Sequence, residues 1–512
     1  MKLGALLASC AVRHPDREAL VCGARRISFG ELDRTANTLA NAYTGRGQKV
    51  GDRIVMYLPN SAELIEAMVG AAKSAGVIVP ISTRLAPREA DYIMKDCEPW
   101  AIFFAPEFRE TVRKAAAEIG NPLLVVMGEA QDGEIAFETL RAEGSDVPPP
   151  PVPSDAEALM IGYTSGTTGR PKGAIATHSS LVVIGGFMNY KEWGLLPEDR
   201  IIATTPMAHR TGLGRIANMV CVGCAVVVMP RFDPAACVDT IEKEKITVIG
   251  LVPTIARMLM PEIEKRPEAC RTLRIMVATG EAFPIEVKQR LAKALPNLGL
   301  YSFYAQTESG FITCLRPEEQ ESHAASCGRA VPGVEVRVVD AGMNDVPVGE
   351  TGEILMRCGA RGLTVMQGYW KNPQATEAAF HEGWLRTGDV GRFDADGYLY
   401  FVDRAKDMIV SGGLNIYSRE VEDALEMHPA VNEAAVVPMP DPEFGEAVCA
   451  FVTFHPGKSA SEAELIEHCR DLIASYKKPK RVQAVETLPR NSTGKVTKMQ
   501  LRERAAAELA SA

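Results

Sequence analysis

Tyr163-Thr-Ser-Gly-Thr-Thr-Gly-Arg-Pro-Lys-Gly173 follows an apolar run at 158–161 that reads as a strand. Within it, three glycines let backbone N–H groups come close to an anion, four hydroxyls (Thr164, Ser165, Thr167, Thr168) supply donors, and Lys172 adds charge. A loop of this make-up at a strand end is built to hold phosphate. It is not a P-loop, because no Gly-Lys-Ser/Thr follows a glycine at the required interval.

The sequence on either side gives the fold class. Upstream, amphipathic helix patterns at 29–43 and 61–74 alternate with short apolar strands at 53–58, 76–80 and 100–104, which predicts a sheet with helices on its faces. Asp146-Val-Pro-Pro-Pro-Pro-Val-Pro-Ser154 breaks regular structure and reads as a semi-rigid polyproline connector. The βα alternation returns from 159 to about 315. From about 330 short strands such as 333–340 and 352–357 are separated by Gly, Pro and Asp turns, a β-rich subdomain, and an α+β segment follows from near 403. The expected architecture is α/β: a large N-terminal body of two βα-layered sheets plus the β-rich subdomain at 1–403, and a small α+β domain at 404–512.

The 512 residues carry 56 Lys+Arg against 65 Asp+Glu, a formal charge of −9, with 46% hydrophobic and 24% charged residues. This excludes collagen, a disordered tail and a disulfide miniprotein, and it argues against non-specific binding to nucleic acid or anionic membrane. The twelve cysteines sit mostly in apolar runs and read as free thiols. Cys221-Val-Gly-Cys224 lacks a second ligand pair and runs into a valine-rich strand, so it is not read as a zinc site. Lys2 and the run to Cys10 imitate a lipoprotein signal, but the apolar stretch is too short and its helical pattern continues. No stretch approaches a membrane span, and a cytoplasmic protein is expected.

The 163–173 segment closely resembles the signature loop of the adenylate-forming superfamily of acyl-CoA synthetases, luciferases and peptide-synthetase adenylation domains. Six further segments resemble that family's motifs in the same order: Pro206-Met-Ala-His209, Thr279-Gly-Glu-Ala-Phe283, Tyr304-Ala-Gln-Thr-Glu308, Arg386-Thr-Gly-Asp389, the stretch from Asp403-Arg-Ala-Lys to Gly413, and Pro489-Arg-Asn-Ser-Thr-Gly-Lys495. Together they span nearly the whole chain.

The resemblance implies ATP, Mg²⁺ and coenzyme A as the small molecules used. Thr164, Ser165, Gly166, Thr167, Thr168 and Lys172 would hold the phosphates that leave as pyrophosphate. Glu308, with Thr164, would bind Mg²⁺, a hard cation suited to oxygen donors, and Thr307 would touch the α-phosphate. Tyr304 would stack on the adenine, Ala305 would belong to the same nucleotide site, and the backbone of Gly280, Glu281 and Ala282 would meet the adenine edge. Asp389 would accept from both ribose hydroxyls, with Arg404 helping. Lys495 would bridge the acid's carboxylate and the α-phosphate, and His209 would gate the acid. Lys406 matches the hinge at which the C-terminal domain rotates, and Gly412 and Gly413 would line a pantetheine tunnel. Such an enzyme forms acyl-AMP and pyrophosphate, then a CoA thioester and AMP. An ionised carboxylate needs positioning and charge neutralisation rather than a base.

The acyl pocket is expected among His209, Arg210, Thr211, Gly212, Val252, Ser302, Phe303 and Gly310. Its apolar lining and small residues suggest a medium-chain, alicyclic or aromatic monocarboxylate, with Arg210 the sign of a diacid instead. The alternative activity passes the acyl group to a carrier protein or another acceptor. Ala305 replaces the family's common glycine, and Asn415 a longer polar residue. A homodimer and regulatory acylation of Lys495 are further expectations. Residues 477–498 hold Lys477, Lys478, Lys480, Arg481, Arg490, Lys495 and Lys498 against Glu486 alone, a positive tract expected to meet ATP and CoA phosphates.

Overall fold

The computed structural model describes residues 1–164, 171–280, 283–405, 407–412, 414–490 and 496–509. They form two compact units, one of residues 1–336 and 356–385, the other of residues 337–355 and 386–512.

Two large sheets build the first unit. A seven-stranded sheet runs Glu134–Ala136, Leu123–Val126, Ala101–Phe104, Arg53–Tyr57, Val77–Pro80, β1 (Ala158–Thr164) and β2 (Lys172–Thr177). It is parallel except for the β1–β2 hairpin, whose register pairs Thr164 with Lys172. The nine-stranded sheet contains a parallel core of Glu18–Cys22, Arg200–Ala203, Ala225–Val228, β3 (Val248–Leu251), β4 (Ile275–Thr279) and β5 (Gly299–Gln306), with β6 (Gly310–Leu315) returning antiparallel to β5. The central strands are buried on both faces, as parallel strands covered by helices must be.

Local chemistry explains the helices between them. Phe29–Gly45 starts at a capping box, where Ser28 accepts from the Glu31 N–H and the Glu31 carboxylate accepts from the Ser28 N–H. Ala62–Lys73 is capped by Ser61 in the same sense, without the reciprocal bond. The N-terminal stretch is a helix, Leu3–Arg13, as its pattern predicts. The proline-rich segment is docked rather than free: Asn37 and Asn41 donate to the carbonyls of Asp146, Ser145 and Val147.

β7 (Trp384–Phe393), which enters the second unit at Arg386, pairs antiparallel there with β8 (Leu399–Arg404). A second sheet joins Leu414–Ile416, Ile409–Ser411, Gly445–Phe454, Val431–Asp441 and Arg481–Ala484, packed by Ser418–Glu426 and Glu462–Leu472. The β-rich and α+β segments predicted from sequence are both present. No helix among the described residues is long and apolar enough to cross a membrane. All twelve cysteines are free thiols, and no cluster among the described residues could hold a metal through three or more His, Cys, Asp or Glu side chains.

Candidate active site

In the first unit the site is built where the β1–β2 hairpin meets the β5–β6 turn. Thr164, the last residue of β1, donates its hydroxyl to Glu308 Oε1 at 3.2 Å. The same oxygen accepts from the Tyr369 hydroxyl at 3.0 Å. Burial, then the adjacent Glu308 carboxylate, push the Tyr369 phenol well above its ordinary range, so it stays a proton donor at any working pH. Lys172 Nζ stands 5.4 Å from the Tyr369 ring centroid.

Residues 366–370 reach this corner because their backbone is laced to it. Met366 N–H donates to the Glu308 carbonyl, Gln367 N–H to the Ile175 carbonyl at 2.8 Å, Ile175 N–H to the Gly368 carbonyl at 2.9 Å, and Trp370 N–H to the Gly173 carbonyl. Tyr369 is a site residue that sequence reasoning missed. Its only local signal is the Gly368-Tyr369-Trp370 cluster of adjacent aromatics in a loop.

Glu308 Oε2 accepts no hydrogen bond among the described residues, so this carboxylate has an oxygen left for a further partner. One carboxylate and one hydroxyl are hard donors that suit Mg²⁺, a cation that keeps several waters. The residues present fit the metal.

The segment expected to act as a gate is held from a distance. Asn60 accepts from the Met207 N–H at 2.7 Å and donates to the carbonyls of Thr205 and Met229, each at 3.1 Å. Asn60 too was missed, because nothing in its local sequence marks it. His209 is the N-cap of α1 (Arg210–Val222). Gly212 lies so close to the Met207 backbone that a Cβ would fall 2.4 Å from it, so this glycine closes the turn. Arg210 reaches back and donates Nη1 to the Thr307 carbonyl. Thr211 is half-buried, and Val252 is the N-cap of helix Pro253–Lys265.

Successive β5 residues alternate faces. Ser302 is turned toward Gln320, whose Nε2 lies 3.4 Å from its hydroxyl, while Phe303 packs edge-on against Phe311 at 4.8 Å. Ser302 and Phe303 therefore do not line one surface. Tyr304 accepts from Gln306 Nε2 at 3.4 Å, and Ala305 pairs with Phe311 across a register shift. Gly280 ends β4 with φ +99° and Gly310 opens β6 with φ +72°, both in the region that favours glycine.

In the second unit, Asp389 on β7 lies opposite Arg404 on β8, with Arg404 Nε 3.3 Å from Asp389 Oδ1 and Asp389 only 2% exposed. Gly412 has φ +58°, donates its N–H to the Phe444 carbonyl at 2.9 Å, and sits in the turn joining Ser411 to Leu414. Asn415 pairs with Val410. Ser165, Gly166, Thr167, Thr168, Glu281, Ala282, Lys406, Gly413 and Lys495 lie outside the described residues.

The expected positive tract is corrected. Lys477 pairs with Glu420, Lys480 with Asp441, Arg481 with Glu462, Arg490 with Glu433 and Lys498 with Glu422. Counting charges along 477–498 missed carboxylates that folding brings from elsewhere in the same unit.

Residues 7–370 match the model of a family described as AMP-binding enzyme, and residues 420–495 that of the AMP-binding enzyme C-terminal domain. The chain is 34% identical to a sulfoacetate–CoA ligase of Cupriavidus necator, covering 98% of this chain and 97% of the relative. It is 33% identical to an indoleacetate–CoA ligase of Aromatoleum aromaticum, covering 96% and 94%. Among solved structures, ATP-bound MatB from Rhodopseudomonas palustris superposes with a TM-score of 0.87 at 29% identity, covering 98% of this chain and 99% of that one.

Proposed function

The chain belongs to the AMP-binding enzyme family, and from that premise we propose that it is an AMP-forming carboxylate–CoA ligase whose acid has a medium-chain, alicyclic or aromatic body. The observation that carries this reading is the Thr164–Glu308–Tyr369 corner at the end of the phosphate-loop hairpin.

The acid's carboxylate attacks the α-phosphorus of ATP, forming acyl-AMP and releasing pyrophosphate. The CoA thiol then attacks the acyl carbon and AMP leaves. Neither step needs a covalent enzyme nucleophile, so the protein's work is orientation and charge stabilisation. Lys172 and the hydroxyls of the loop take the departing phosphates. Glu308 and Thr164 would hold Mg²⁺, which when bound neutralises phosphate charge. Asp389 takes the ribose hydroxyls, Tyr304 the adenine, and Lys495 the carboxylate and α-phosphate together. His209 screens the acid from solvent. Residues 404–512 rotate about Lys406 between the half-reactions, and Gly412-Gly413 then leaves room for the thin thiol arm.

The test is pyrophosphate release from ATP with a panel of acids, with and without CoA. Acid-dependent release with CoA-dependent thioester formation is expected. Release without any thioester would transfer the acceptor role to a carrier protein. No ATP turnover with any acid would overturn the ligase reading.

A further inference from the structure

Beside the gate helix α1 the first unit buries hydrogen-bond donors that have no acceptor. Arg210 gives Nη1 to Thr307, but its Nη2 is shielded from solvent and unbonded. Arg215, one and a half turns on, is 7% exposed and makes no hydrogen bond or ion pair among the described residues. Its guanidinium lies 5.7 Å from the Trp193 ring centroid. Trp193 is itself 2% exposed, and its indole N–H has no partner.

Both guanidinium groups have space because a side chain is missing opposite. A Cβ on Gly250 of β3 would fall 1.7 Å from Arg215 Nη2, and one on Gly310 would fall 2.9 Å from Arg210 Nη2. Two carboxylates near Trp193 in sequence are already committed. Glu192 takes Arg316 at 2.6 and 3.1 Å, and Asp199 takes Arg274 at 2.8 Å. Burial lowers both arginines to about 10. The Glu308 carboxylate opposes this at Arg210, whereas no carboxylate does so at Arg215.

A buried cation without a counterion, beside a buried donor without an acceptor, is an arrangement that native interiors avoid unless something else completes it. The missing partner must be an acceptor and negatively charged, and it would meet these donors beside the aromatic group of Trp193, Phe303 and Phe311.

We propose that the acid substrate carries a second oxyanion, a carboxylate or sulfonate, at the end remote from the reacting carboxylate, and that Arg215 and the Trp193 N–H bind it, with Arg210 flanking its approach. The proposal rests on the ligase reading and sharpens it: the body of the acid is apolar, but its far end is charged.

The test uses the full-length enzyme with ATP, Mg²⁺ and CoA, and matched acids of equal length: hexanoate, adipate and the monoamide of adipate, then 4-methylbenzoate, terephthalate, 4-carbamoylbenzoate and 4-sulfobenzoate. The better dianion is expected to exceed its neutral amide by about 100-fold in kcat/KM, since a site built for a polar group rejects analogues that leave it unpaired. The terephthalate and sulfobenzoate arms distinguish carboxylate from sulfonate. Arg215→Met should invert the preference, mainly through KM of the charged acid, and Arg215→Lys should restore part of it. Neutral acids used as well as charged ones by the unaltered enzyme would overturn the proposal while leaving the ligase reading intact, and that comparison needs no variant to fold. Equal loss on charged and neutral acids in Arg215→Met would also overturn it. Pyrophosphate release with no acid at all would remove the ligase reading and this proposal with it.

Discussion

Tyr369 and Thr164 share one oxygen of Glu308, their hydroxyls 3.0 and 3.2 Å from Oε1. The two donors come from segments about 200 residues apart and leave Oε2 for another ligand. Tyr369→Phe removes one of them without changing shape. A hydrogen bond to a charged group contributes about 1.5–3 kcal/mol, so pyrophosphate release should fall at least about 10-fold with a raised Mg²⁺ requirement. Because the phenol stays protonated, the defect should be flat between pH 6 and 9. An unchanged Mg²⁺ dependence would refute this use of the tyrosine.

Asp389 is 2% exposed and paired with Arg404 across two antiparallel strands. If its carboxylate binds the ribose, the enzyme should prefer ATP to 2′-deoxy-ATP, and Asp389→Asn should raise KM for ATP about 10-fold while erasing that preference. A variant that still discriminates between the two nucleotides would place ribose recognition elsewhere.

What the sequence reveals of this site is what neighbouring residues can encode. The glycine- and hydroxyl-rich loop, Glu308 and Asp389 stand in short runs whose composition already states a chemistry. Tyr369, Asn60 and Arg215 do not. Asn60 acts by bonding Thr205, Met207 and Met229, and Arg215 is explained by Gly250 and Trp193, partners that only the folded sheet brings near. The same limitation makes 477–498 look more positive than it is, since Glu420, Glu422, Glu433, Asp441 and Glu462 are remote in sequence. The βα alternation was legible because its period is local.

The proposed function gives Lys495 a part in the first half-reaction alone. Lys495→Ala should therefore lower acid-dependent pyrophosphate exchange by roughly 10²–10³, the scale for losing one well-placed charge-stabilising donor. Thioester formation from added acyl-AMP and CoA should persist. Exchange at the normal rate would show that the lysine does not touch the reacting groups.

The proposed function makes Lys406 the hinge of a rotation between half-reactions. Proline fixes φ and removes an N–H, so Lys406→Pro should hold one pose: pyrophosphate release in the first turnover continues, and CoA transfer falls by at least about 10-fold. Equal loss of both half-reactions would count against a hinge here.

His178 offers a prediction about stability rather than turnover. It is fully buried, and its Nδ1 accepts the Leu3 N–H at 3.2 Å, tying helix Leu3–Arg13 to the end of β2. Accepting at Nδ1 requires that nitrogen to be unprotonated. Burial, and after it the positive charges of Lys2 and the amino terminus, lower the imidazole to about 3. In the unfolded chain the ring takes a proton near its ordinary value of about 6.5. Between those values the unfolded state holds the extra proton, so stability is complete above about pH 6.5 and falls as pH drops, by up to about 1.4 kcal/mol per unit. All four tryptophans, Trp100, Trp193, Trp370 and Trp384, lie in the first unit, so their fluorescence follows its unfolding in urea. From pH 7 to 5 the unaltered chain should lose stability more steeply than His178→Asn, the slopes differing by close to one proton. Parallel slopes would mean that His178 titrates alike folded and unfolded, and that its bond to Leu3 does not hold the ring neutral.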